Sequence, residues 1–176
     1  ADQGYALSQL FLGRMFYLGQ GVQQDYKEAF ERYRLLALEG HAKSRYNLGL
    51  MYYRGKGVQQ NYKAAFKWFK LSSDQGMPIA QYNLAYMYDH GNGILQDCAK
   101  ALNLYQLSAK QGNASAQSNL GTMYLIGKVV LKNYKEAVKW FRTAAEAEDE
   151  DAQYELGNCL RIGTGVDKNA EEAFEK

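Results

Sequence analysis

The sequence predicts an all-α fold, a right-handed α-solenoid wound as a superhelix from about five 36-residue helix-turn-helix units. Three observations predict it: identical residues recur every 36 positions, each unit carries two apolar faces of helical period, and a glycine-rich connection separates those faces. Leucine recurs at Leu12, Leu48, Leu84, Leu120 and Leu156, and alanine at Ala29, Ala65, Ala101, Ala137 and Ala173. Glycine recurs at Gly19, Gly55, Gly91, Gly127 and Gly163. One short helix pair cannot bury its apolar face alone, whereas stacked pairs share a continuous core.

The units run 6–41, 42–77, 78–113, 114–149 and 150–176, the last one truncated, with 1–5 as the end of a preceding unit. The chain thus reads as a segment of a longer array, and any signal peptide is expected outside it. In the second unit, Tyr46, Leu48, Gly49 and Tyr52 line one face of a helix A from Ala42 to Arg54. Ala65, Phe66 and Phe69 line one face of a helix B from Tyr62 to Ser73. Pro78 opens helix A of the third unit, at a first turn that tolerates proline. Gly13, Gly49, Gly121 and Gly157 are expected at close helix contacts, with tyrosines filling the gaps around them.

Between the helices, Gly55-Lys56-Gly57-Val58-Gln59-Gln60-Asn61 supplies residues able to take positive φ and then a helix cap. The cap column is Asp25, Asn61, Asp97, Asn133 and Asn169, and Glu28, Glu136 and Glu172 three residues on predict reciprocal capping boxes. Val129 stands where the other units have glycine, so the Gly127–Leu131 loop is expected to take a different path. Val129, Val130 and Leu131 are expected to fold onto the core, the alternative being an exposed sticky patch. Repeat three carries Ala85 in the glycine column. Residues 146–151, Glu-Ala-Glu-Asp-Glu-Asp, lack an EF-hand spacing and read as a solvated acidic helix start.

Composition narrows the chemistry. Hydrophobic residues at 47% and charged residues at 23% suit a folded chain, no run reaches the roughly 18 apolar residues of a spanning helix, and two cysteines make no disulfide framework. A net charge of +2 gives little reason to expect a nucleic-acid partner. The Gly-x-Gly stretches follow no strand and end in no Gly-Lys-Ser or Gly-Lys-Thr, so they read as helix stops rather than phosphate loops. His90 and Cys98 flank one connection as substitutions within repeat columns, without an orienting third group. Cys159 replaces a methionine of its column as a small buried thiol. Two histidines 49 residues apart predict no metal site, and no cofactor is expected.

At 100° per residue, the columns of Ser8, Leu12 and Phe16 lie within about 40° of one another and form the core side of helix A. The columns of Leu7, Phe11, Arg14 and Leu18 centre about 230° round and should border the concave surface. These outer columns vary from unit to unit while the core columns hold. Read across, they give Leu7, Lys43, Ile79, Ser115, Asp151; Phe11, Asn47, Asn83, Asn119, Glu155; Arg14, Leu50, Tyr86, Thr122, Asn158; and Leu18, Arg54, His90, Ile126, Ile162. Beside them runs the column of Tyr17, Tyr53, Asp89, Leu125 and Arg161.

Ser44-Arg45-Tyr46-Asn47-Leu48-Gly49-Leu50-Met51-Tyr52-Tyr53-Arg54-Gly55-Lys56-Gly57-Val58, followed by Asn61-Tyr62-Lys63-Ala64-Ala65-Phe66-Lys67-Trp68-Phe69, resembles the Sel-1-like repeat, a relative of the tetratricopeptide repeat. The resemblance covers essentially the whole chain. It implies a TPR-like scaffold without catalysis whose concave groove holds a partner protein or peptide, and it is similar in flavour to bacterial members, many of them periplasmic or secreted. The expected partner-binding residues are Arg14, Tyr17, Asn47, Leu50, Tyr53, Arg54, Asn83, Tyr86 and Asn119. Asn47, Asn83 and Asn119 would form an amide ladder able to hold an extended backbone, or would bond neighbouring helices instead. Arg14, Tyr17, Tyr53, Arg54 and Tyr86 would form an aromatic and cationic cluster.

The resemblance carries two alternatives. Cysteine-rich members are associated with penicillin binding, but their cysteine pattern is missing here, as is any Ser-x-x-Lys tetrad for a serine β-lactamase. A spacer or homo-oligomerisation module joined through repeat edges, with Phe174 at one edge, is the other.

Overall fold

The computed structural model describes residues 3–166, with side chains from Gly4 onward. Among these residues there are nine helices and no strand: α1 Gln3–Leu18, α2 Tyr26–Leu38, α3 Ala42–Arg54, α4 Tyr62–Ser73, α5 Pro78–His90, α6 Cys98–Lys110, α7 Ala114–Ile126, α8 Tyr134–Glu146 and α9 Glu150–Ile162. None is long and apolar enough to cross a membrane. Odd-numbered helices are the A helices and even-numbered ones the B helices. The chain divides between Gln96 and Asp97 into two compact units, α1–α5 and α6–α9. Glu172 and Phe174 lie outside the described residues.

In the first unit, α2 is sandwiched between α1 and α3, and α4 between α3 and α5. Its core joins Ala29, Phe30, Tyr33, Ala37, Leu48 and Met51, with Phe16, Tyr52 and Trp68 packed on them. Burying a side chain of that size contributes roughly 1.5–3 kcal/mol. The second unit repeats the arrangement around Val138, Phe141, Leu156, Cys159 and Leu160. Burial pushes the Cys159 thiol above its ordinary pKa, which keeps it protonated and unreactive.

At Gly13, Gly49 and Gly121 a B-helix ring comes closest to an A helix. A Cβ at Gly121 would stand 2.5 Å from the ring of Phe141, one at Gly49 2.7 Å from Phe69, and one at Gly13 2.9 Å from Tyr33. The gap-filling ring is tyrosine in repeat one, as expected, and phenylalanine in repeats two and four; Tyr105 of the same column is nearly as deeply buried as the phenylalanines.

Two further ties recur that the residue columns did not announce. Arg45 Nε, Gln117 Nε2 and Gln153 Nε2 donate to the carbonyls of Ala37, Ala109 and Ala145 at the end of the preceding B helix, at 3.1, 3.1 and 3.4 Å. Gln24, Gln60 and Gln96 donate to the carbonyls of Tyr17, Tyr53 and Asp89 at 3.0, 2.8 and 2.6 Å, satisfying orphan acceptors at the ends of α1, α3 and α5.

The caps correct one expectation. Asp25 accepts from the Glu28 amide at 3.0 Å and Asn133 from the Glu136 amide at 3.1 Å, but the reciprocal half of the box is absent. The cap amides of Asp25, Asn61 and Asn133 already donate to the carbonyls of Phe16, Tyr52 and Tyr124. Glu28 is left to pair with Arg32 at 2.7 Å. Pro78 does sit in the first turn of α5. The acidic run opens α9 as expected, with Asp149 capping the Ala152 amide at 3.0 Å and Glu150 and Asp151 in the first turn.

The second correction concerns the fourth connection. Val129 adopts φ 68°, within a few degrees of Gly21, Gly57, Gly93 and Gly165 at 72–76°, so the loop keeps the common path and the residue carries the strain. Glu148, in the column of Gly40, Gly76 and Gly112, likewise takes φ 61°. Val130 is half-buried, but the side chains of Val129 and Leu131 do not fold onto the core. Val129 and Leu131 are exposed, Leu131 at 92%, because the common path turns these two columns outward; Leu95, one repeat earlier, is 91% exposed.

Candidate functional site

The outer columns of α1 and α3 meet along one face of the first unit. A cavity of about 660 Å³ is lined there by residues 7–12, Arg14 and Met15 of α1 and by Lys43 and Asn47 of α3. A smaller one of about 70 Å³ is lined by Tyr17, Tyr33, Asn47, Leu50 and Arg54. Arg14 thus borders the larger space, together with Ser8 and Leu12 of the columns expected on the core side, while Tyr17, Leu50 and Arg54 border the smaller. Asn47 borders both spaces.

Local packing sets the geometry. Tyr17 stands edge-on to Tyr26 with ring centroids 5.3 Å apart, and Arg54 Nη1 reaches its hydroxyl at 3.3 Å. Lys56 Nζ donates to the Tyr26 hydroxyl at 3.1 Å and lies 4.7 Å from the Tyr26 centroid and 5.3 Å from that of Tyr17. The Tyr26 hydrogen bond, then the neighbouring Tyr17, raise the Lys56 pKa. This arrangement fixes the floor of the face without using Arg14 or Lys43, both exposed.

Beneath it, burial first and the nearby Tyr17 second push the Tyr33 hydroxyl up to about 12 against an opposing pull from Arg14. An unfolded tyrosine ionises near 10, so between pH 10 and 12 the unfolded chain sheds a proton that the folded chain keeps. Stability from this group is full below pH 10 and is lost as pH rises through 12, about 2–3 kcal/mol in all. Urea unfolding at pH 8 and at pH 11.5 is expected to show this loss in the parent and a smaller one in Tyr33→Phe; equal losses would contradict it.

Other expected residues have structural employment. Tyr53 packs edge-on to Tyr62 at 5.1 Å and against Phe69 at 6.3 Å, and its hydroxyl accepts from Asn92 at 3.0 Å. Asn83 donates to the carbonyl of Ile79 at 2.8 Å and hydrogen-bonds the Tyr46 hydroxyl, whose pKa burial raises. At this rung the amide bonds its own and a neighbouring helix. Tyr86 stacks on His90 at 4.0 Å, and His90 Nδ1 lies 3.0 Å from the Tyr86 carbonyl. Asn119 is half-buried on α7 of the second unit. Cys98 is half-buried at the start of α6.

Leu7, Phe11 and Lys43 belong to the site although only their columns pointed there. Leu7 and Phe11 are 67% and 63% exposed. The signal was present in the columns: every residue aligned with Phe11 is Asn or Glu, so an aromatic there departs from the pattern.

Sel1 repeats match residues 6–41, 42–77, 78–113, 114–149 and 150–175. No curated protein matches the chain. Among solved structures, a protective antigen of uropathogenic Escherichia coli with an SLR fold is 34% identical with a TM-score of 0.89; the match covers 97% of this chain and 37% of the antigen. A Sel1 repeat protein from Oxalobacter formigenes is 32% identical with a TM-score of 0.92, covering 97% of this chain and 69% of that one. The cysteine rich protein B of Helicobacter pylori, 22% identical with a TM-score of 0.59 over 73% of this chain and 95% of its own, shares the fold. With in-phase repeats along its length and stacked helix pairs in both units, the chain belongs to the Sel1 repeat family and has its all-α solenoid fold.

Proposed function

We propose that the chain is a non-catalytic scaffold that holds a segment of a partner protein on the A-helix face of its first two repeats. Sel1 repeat proteins are generally protein-interaction scaffolds, which supports this class of activity. The observation that carries the location is the open cleft of about 660 Å³ between α1 and α3, where Leu7 and Phe11 stay solvent-exposed beside Arg14, Lys43 and Asn47. Protein binding sites draw their energy from such apolar anchors, with polar groups at the rim fixing orientation. The variable columns supply the anchors while the invariant ones supply the core, so ligand choice can change without altering the fold.

A photo-reactive benzoylphenylalanine placed at position 11 or 50 tests this in extracts of the native host. Both positions are expected to cross-link to the same discrete protein, and position 67, exposed on α4, to none. Adducts from position 67 alone would move the site off this face.

A further inference from the structure

The charges around the cleft select the ligand. Arg14, Lys43 and Arg54 border the two cavities between α1 and α3, and no carboxylate lines either one. All three side chains are exposed, and among the described residues none forms an ion pair. Some cations elsewhere are met by a nearby carboxylate. Arg32 pairs with Glu28, Arg34 with Glu31, Lys70 with Asp74 and Lys100 with Asp97, each at 2.7–2.9 Å. Arg14, Lys43 and Arg54 gather, with no carboxylate among the lining residues, around cavities that also expose Leu7 and Phe11.

We infer that the occupant of this cleft is an acidic-apolar peptide segment, one large aliphatic or aromatic side chain seated against Leu7 and Phe11 and a carboxylate within a few residues meeting Lys43 and Arg14. This rests on the proposed scaffold reading and adds the chemistry of the ligand. A basic segment would bring like charges onto three uncompensated cations, whereas an acidic one supplies the counter-charge that these side chains lack. The Asn47 amide, at the junction of the two cavities, can donate to and accept from the peptide backbone between the two anchors.

Random dodecapeptides displayed on phage, selected against the intact chain, are the probe. Enriched sequences are expected to pair Leu, Ile, Met, Phe or Trp with a nearby Asp or Glu. A fluorescein-labelled synthetic copy of the leading sequence should bind at least tenfold more weakly to Lys43→Glu and to Phe11→Ser, and more weakly in the parent when salt rises from about 50 to 500 mM. Both substituted side chains are exposed, and circular dichroism should match the parent. Basic or uncharged peptides that still lose binding in Phe11→Ser would overturn the ligand chemistry and leave the scaffold reading standing. Peptides indifferent to both substitutions, or no enrichment at all, would overturn both. Self-association on light scattering that Phe11→Ser abolishes would make a second copy the occupant and would likewise overturn the inference.

Discussion

Replacing Phe141 with alanine is expected to lower stability by about 3–5 kcal/mol, and filling Gly121 with alanine by up to about 2 kcal/mol. Phe141 is fully buried, so its truncation removes the transfer free energy of a ring and leaves a cavity that α7 and α8 cannot close without moving. In Gly121→Ala the new methyl stands 2.5 Å from that ring; the overlap, costing roughly 1–3 kcal/mol, outweighs the gain in helix propensity of about 1 kcal/mol. Because both effects live in one contact, they should not add. Combining Gly121→Ala with Phe141→Leu is expected to lose about 1 kcal/mol less than the sum of the two single changes. Urea unfolding of the four variants checks this, and strict additivity would show that the glycine and the ring do not meet.

The connection loops offer a larger asymmetry. Gly57→Val is expected to cost at least about 3 kcal/mol, whereas Val129→Gly, the reverse exchange in the same column, should raise stability by about 1 kcal/mol. Gly57 holds φ 72°, and a Cβ there would overlap the main-chain carbonyl of Tyr26, so strain and collision act together. Gly93 approaches Tyr62 and Gly165 approaches Tyr134 in the same register, which leads from Val129 to Cys98. Val129 already occupies φ 68°, so glycine relieves only the dihedral strain, partly offset by the greater freedom of the unfolded chain. Thermal midpoints of the two variants should move in opposite directions; a lowered midpoint for Val129→Gly would show that its side chain contributes more than its backbone strain costs.

Helix limits were legible in the columns because each feature is stated several times: Gly55, Gly91, Gly127 and Gly163 all end an A helix in the left-handed region. Val129 misled for the complementary reason. A residue's own preference, worth about 1–2 kcal/mol, gave way to a path shared by every connection. The capping box failed at Glu28 because the Asp25 amide was already committed to Phe16, a contact that lies outside any local motif. The candidate site was half legible. Helical angles grouped Arg14 with Asn47, but they could not reveal that Tyr53 is held by Tyr62 and Asn92, or that Asn83 serves Tyr46, since those partners lie outside the helix concerned. Leu7 and Phe11 became prominent only once their exposure was visible.

The cap amides that donate back to Phe16, Tyr52 and Tyr124 close the connections of repeats one, two and four onto the A helix of their own repeat. Deleting or duplicating one 36-residue register therefore strands none of these backbone donors at the junction. Unequal recombination between repeats can lengthen or shorten such an array while leaving every turn chemically complete, and selection is then free to act on array length as a heritable trait separate from the identity of any binding residue.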